Sequence, residues 1–249
     1  VQISRGIKIN YNVKKPLFKE SVVLIPWYGA KIASLKAHVY FVNSLGFNAS
    51  VIPLTWVNKN LLYDITSLKN LKTGMIGYWE KQINDGLDKI DGDKIVFCFS
   101  MPIFSVFQAL YQKKRKDIAG IVCDGGPFSG LGWKISWGYF TQESHVSNKL
   151  LRLAVSMISF YSFGRNFEKH IFTHIESLPE KFPVLSVRGG KDPLVPPSFI
   201  DNVFIQQKHL DLYTLALPDG VHLNDLHNFS DIYKPKIEEF VNQIATPAK

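Results

Sequence analysis

Cysteine is scarce in this chain. Two in 249 residues exclude a disulfide-stapled scaffold. Cys98 and Cys123 each sit near the end of an apolar run, where a free thiol packs as a small apolar side chain. Long hydrophobic runs are lacking too: the longest, from Leu150 to Phe163, carries Arg152 and is too short to span a bilayer. There is no H-E-x-x-H, no G-x-G-x-x-G and no phosphate-cradling glycine loop. His38, His145, His170 and His174 show no metal-ligand spacing, so neither a metal nor a cofactor is expected. No fixed-period repeat or low-complexity tract is found, which excludes solenoids and biased linkers. No signal-peptide pattern is visible, and the expectation is a soluble protein, leaning to the cytoplasm.

What is present is ordinary for one globular α/β domain: 46% hydrophobic and 20% charged residues, with aromatics high at 13%. The net charge of +8 favours anionic surroundings, but the cations are scattered. Only Lys113, Lys114, Arg115 and Lys116 form a block, at the predicted end of a helix where cations complement the dipole. A solvated cap accounts for them without nucleic acid.

Apolar runs alternate with helical patterns along the chain. Strands are predicted at Ser21–Pro26, Asn48–Pro53, Lys94–Phe99, Ile118–Cys123, Pro183–Val187 and Asp211–Leu217. Helices are predicted at Lys31–Leu45, Met75–Ile90, Pro102–Lys113, Pro197–Gln207 and Ser230–Ile244. Strands apolar on both faces imply a mostly parallel, doubly wound sheet covered by helices on each side. The opening VQISRGIKINYN alternates like an antiparallel edge strand. Residues 128–181 carry no strand signal but hold Trp133, Trp137 and a helix near Asn148–Phe163. An insertion of that length predicts a helical lid over the strand ends within a single domain, 1–249.

In such a sheet functional groups gather where strands end. Those ends read Pro26-Trp27-Tyr28-Gly29-Ala30, Ser100-Met101, Asp124-Gly125-Gly126-Pro127, Gly189-Gly190-Lys191-Asp192-Pro193 and Gly220-Val221-His222. Ser100, Asp192 and His222 thus arrive in the order of a nucleophile, an acid and a base, each just past a strand. A serine needs an imidazole to take its proton, and the imidazole needs an acid to hold its tautomer. Two backbone donors are then required for the oxyanion: the Met101 amide and, from the loop after the first core strand, Tyr28 or Trp27. Plainer roles stay open at these positions. Ser100 fits a helix N-cap, Asp192-Pro193 a simple turn, and Asp124 is a rival acid. His209 and His227 are less well placed than His222.

At this point the chain resembles the α/β-hydrolase superfamily, from about residue 21 to residue 244. RGGKDPLVP is similar to its acid loop, and LPDGVHLNDLHNFSDIYKPKIEEFV to its histidine loop and closing helix. LIPWYGAK, VFCFSM and IVCDGGPFSG are similar to segments of the poorly characterised family typified by transmembrane protein 53 and PaxU. The resemblance implies an α/β-hydrolase fold with Ser100, Asp192 and His222 as the triad positions. The chain departs from G-x-S-x-G: Cys98 and Pro102 replace the glycines, and Ile103 adds bulk. Proline suits a first helical turn and should push Met101 out of helical geometry, so crowding by Cys98 and Ile103 is expected to be the strain on this elbow. The expected function is a serine hydrolase acting on a small ester or thioester with an apolar acyl group, its pocket including Trp133 and Trp137. The alternative is a non-catalytic fold that binds a ligand or partner in that pocket. Weak peripheral membrane contact through Leu150–Phe163 is compatible with either.

Overall fold

The computed structural model describes residues 9–55, 74–130, 132–142, 145–164 and 166–248. Seven strands form one sheet: β1 (Ile9–Tyr11), β2 (Ser21–Ile25), β3 (Asn48–Val51), β4 (Lys94–Phe99), β5 (Ile118–Asp124), β6 (Pro183–Gly189) and β7 (Asp211–Leu217). Their spatial order is β1-β3-β2-β4-β5-β6-β7. Every pairing is parallel except β1 on β3, where Ile9 meets Val51 and Tyr11 meets Ala49. The predicted edge strand is therefore antiparallel, and its first eight residues lie outside the described ones.

Burial accounts for the strand composition. All six residues of β4, KIVFCF, are buried, because β4 is central and helices cover both its faces. Its side chains alternate between two cores. Val96 and Cys98 join one with Val23 and Ile25 of β2; Ile95, Phe97 and Phe99 join the other with Val22 and Leu24. The second core is closed by α1 (Lys36–Ser44) and by the last helix, α9 (Ser230–Ile244), which contributes Tyr233, Ile237 and Phe240. The first is closed by α2 (Gly74–Leu87) and α3 (Pro102–Lys113), with Trp79, Phe104 and Phe107 buried between them and the sheet.

Segment 128–181 contains helices only, among its described residues: α4 (Lys134–Gln142), α5 (Lys149–Ser162) and α6 (Phe167–Glu176). Asn148 caps α5, its side chain accepting from the amides of Leu150 and Leu151. Ile171 and Ile175 of α6 pack into the first core beside α3. After β6 come α7 (Pro197–Phe204), β7 and a four-residue helix, α8 (Asp225–Asn228), that leads into α9. The predicted helix from Lys31 begins instead as a 3₁₀ turn, Ile32–Leu35. No helix among the described residues is long and apolar enough to cross a membrane.

The strand bottoms are tied by charge. Lys94, almost wholly buried, reaches Asp117 at 2.6 Å, and Arg115 grips the same carboxylate through two hydrogen bonds, at 2.9 and 2.7 Å. Burial opposes ionisation of Asp117, but the bonds from Arg115 and Lys94 outweigh it and bring the carboxyl down to about 2. The strand tops carry the site.

Candidate active site

Ser100 follows β4 at once, with φ of 55°, the left-handed conformation that a sharp strand-to-helix turn demands and a non-glycine residue seldom adopts. The turn is held from both sides. The Ser100 amide donates to the Asp124 carbonyl at 2.8 Å, and the Ser100 carbonyl accepts from Ile103 at 3.0 Å. Met101 is helical, with φ −50° and ψ −42°, and occupies the N-cap position. The expectation that Pro102 would push it out of that region is thus corrected. The elbow must turn into α3 directly after Ser100, and that requirement outweighs the local preference of a residue before proline. Pro102 itself sits at the first helical turn, as expected.

Ser100 does not serve as a side-chain cap. Its Oγ lies 3.0 Å from His222 Nε2, and no side-chain hydrogen bond caps α3. On the other side of the ring, His222 Nδ1 donates to Asp192 Oδ2 at 2.6 Å. The second oxygen of Asp192 accepts from the amides of Leu194 and Val195, at 2.8 and 2.9 Å. The Asp-Pro turn therefore exists, and it aims the carboxylate. Asp192 is buried and His222 half-buried, so the pair is shielded from water while Ser100 faces a cavity.

The acid and histidine loops meet by close backbone approach. A side chain at Gly189 would stand 2.5 Å from the Gly220 carbonyl oxygen, and one at Gly190 would stand 2.4 Å from that of Pro218. The amides of Gly190 and Lys191 donate across this seam to Leu217 and Gly220, at 2.7 and 2.9 Å. The two glycines of RGGKDP therefore fix the separation of Asp192 from His222.

The crowding expected at the elbow is relieved from across the gap. A Cβ on Gly126 would lie 3.2 Å from Ile103 Cδ1, and one on Gly125 would lie 3.3 Å from the His222 ring. Just past β5, Gly126 leaves room for Ile103 beside the serine, and Gly125 leaves room for the His222 ring. In the sequence this pair reads only as a turn.

Asp124, the rival acid, makes no hydrogen bond to His222. Its Oδ2 accepts from the Tyr233 hydroxyl at 2.5 Å, and its Oδ1 is buried without a partner. Burial, then the nearby Asp225, push its carboxyl up to about 7, against the opposing pull of Tyr233 and His222. Asp225 is itself raised to about 6 by burial and by Asp192. Sequence reasoning missed Asp225 and Tyr233; the only signal was a second aspartate three residues after His222.

A cavity of about 590 Å³ opens over Ser100, Met101 and His222, walled by Trp27, Tyr28, Tyr139, Phe163 and Leu194. Tyr28 is clamped edge-on between Trp79, Tyr139 and Phe163, at ring distances of 5.9, 5.8 and 5.6 Å. Burial, with Tyr139 alongside, pushes its hydroxyl well up, so it stays neutral. Trp133 and Trp137 do not line this cavity, which corrects their expected place in the pocket. On a helix, positions 133 and 137 share one face, whereas Ile135 and Tyr139, which do line it, share the opposite one. The two tryptophans instead pack edge to face at 5.6 Å, with the Arg152 guanidinium 5.1 Å over Trp137. Among the described residues no cluster of His, Cys, Asp and Glu could hold a metal ion.

No protein-family model and no curated protein matches the chain. Solved structures do. An esterase of Pyrococcus furiosus (Pf2001) superposes with a TM-score of 0.68 at 15% identity, covering 92% of this chain and 84% of its own. A monoacylglycerol lipase of Paleococcus ferrophilus gives 0.63 at 13% identity over 95% and 98%. A bromoperoxidase of Bacillus anthracis gives 0.61 at 13% identity over 94% of each. Sheet order, strand direction and these neighbours together show that the chain has the α/β-hydrolase fold.

Proposed function

We propose that the protein is a serine hydrolase that cleaves an ester or thioester with an apolar acyl group. The observation that carries this is the unbroken relay from Ser100 Oγ through the His222 ring to Asp192 Oδ2, opening on an aromatic cavity. Names among the structural neighbours include an esterase and a lipase, in keeping with the reading, but also a peroxidase, so the fold alone does not select the chemistry. LIPWYGAK, VFCFSM and IVCDGGPFSG favour kinship with the family typified by transmembrane protein 53 and PaxU.

In this mechanism Ser100 Oγ attacks the acyl carbonyl carbon as its proton passes to His222 Nε2. Asp192 holds Nδ1–H and stabilises the imidazolium. Charge on the tetrahedral oxygen is met by the Met101 amide and by a second amide from Tyr28 or Trp27, both on the cavity wall. Collapse breaks the bond to the alcohol or thiol, which leaves with the proton from His222. Water, deprotonated by the same ring, then attacks the acyl-enzyme and releases the acid. Residues 128–181 act as the lid, with Ser136, Tyr139, Ser159 and Phe163 from α4 and the α5 region turned towards the acyl chain.

A fluorophosphonate probe tests this. Covalent labelling of the folded protein, abolished in Ser100→Ala and in His222→Ala, is expected. A folded protein that never labels would overturn the enzyme and leave a ligand-binding fold.

A further inference from the structure

Helix α5 is amphipathic the wrong way round for a helix facing water. Leu150 is 80% exposed, Ile158 69%, Tyr161 60% and Leu151 55%, and at helical spacing these four fall in one sector. Ser156 and Ser159 point the other way: Ser156 is fully buried and Ser159 lines the cavity. Large aliphatic side chains turned outward in a continuous sector, with small polar ones turned in, mark a surface that has another neighbour.

Charge identifies that neighbour. From His145 to Gly164 the chain carries Lys149 and Arg152 and neither Asp nor Glu. Lys134 is exposed on α4, and Trp133, 39% exposed, packs on the Trp137 ring that Arg152 covers. An apolar sector on a helix whose only charged residues are cations, in a molecule of net charge +8, complements an anionic lipid surface.

We propose that α5 seats the protein on an anionic phospholipid bilayer, with Leu150, Leu151, Ile158 and Tyr161 entering the acyl boundary and Lys149 at headgroup level. The contact does not depend on the chemistry at Ser100. If Ser100 is the nucleophile, docking brings the cavity wall formed by Ser159 and Phe163 to the depth at which acyl chains are found.

Co-sedimentation with phosphatidylcholine vesicles, with and without phosphatidylserine, tests the seat. The whole chain is expected to bind, and to bind more when phosphatidylserine is present. Replacing two aliphatic anchors in Leu150→Glu/Ile158→Glu should weaken partition about a hundredfold. Lys149→Glu should remove part of the phosphatidylserine increment and spare the apolar component. Leu150, Ile158 and Lys149 lie outside the cavity, so thermal midpoint and probe labelling at Ser100 should not change. Failure to bind phosphatidylserine vesicles, binding that survives the double variant, or a dimer on gel filtration that this variant dissolves would each overturn the proposal. Vesicle binding without labelling at Ser100 would count against the hydrolase and leave the lipid seat standing.

Discussion

At the scale of single residues, the two buried aspartates near His222 are separated by what each one touches. Asp192 gives one oxygen to the imidazole and the other to two amides; Asp124 gives its bonded oxygen to Tyr233. Asp192→Asn should therefore lower kcat about a thousandfold or more, because the ring loses the acceptor that fixes its tautomer. Asp124→Asn should lower it far less. Steady-state kinetics on a short ester checks the order, and the reverse ranking would move the acid to Asp124. Ser100, Asp192 and His222 were legible because each follows an apolar run, and strand ends are where an open sheet collects its chemistry. Gly125, Gly126, Tyr233 and Asp225 were not, because their roles exist only between segments far apart in the chain. A glycine read as a turn former gives no hint that an isoleucine or a histidine ring will need its missing Cβ.

At the scale of elements, α4 shows why aromatic content misleads. Both of its faces carry rings, and only the helical phase separates the cavity wall from the outer pair. Tyr139→Ala should raise KM for a medium-chain ester about tenfold with a smaller change in kcat, since it enlarges an apolar wall. Trp137→Ala should leave KM unaltered, because that ring rests under Arg152 and against Trp133, away from the cavity. An acyl-chain-length series on both variants checks the assignment. Long apolar strands and the helices α3 and α9 were readable from period alone. The three-residue β1 left no more than an alternation, and the four-residue α8 is shorter than the window in which a helical period can be seen.

At the scale of the whole molecule, two groups of carboxylates pull stability in opposite directions with pH. Asp124 and Asp225 titrate at about 7 and about 6 in the fold, against an ordinary 3.8. Between these limits the unfolded chain has lost protons that the folded one retains, so their contribution falls as pH rises from about 4 to about 7. Asp117, held down to about 2, contributes fully above 3.8 and loses that contribution as pH falls through this range. The denaturant midpoint should therefore be highest on the mildly acidic side of neutrality. Asp124→Asn should raise it at about pH 8 and change it little near pH 4, where the native carboxyl already carries its proton. A midpoint at alkaline pH that the variant leaves unchanged would show that Asp124 ionises normally.

The last residues of the described chain settle at the end of the sheet remote from the cavity. Phe18 bridges to Pro247, Lys19 donates to the Thr246 carbonyl at 2.9 Å, and the Thr246 amide reaches Glu20 at 2.8 Å. These contacts lie where β2 begins, whereas the cavity opens beyond the point where β2 ends, at Trp27 and Tyr28. A support or fluorophore attached to this segment would be anchored behind the sheet. The mouth would stay clear, so the chain can be held by this segment while substrate approaches from the front.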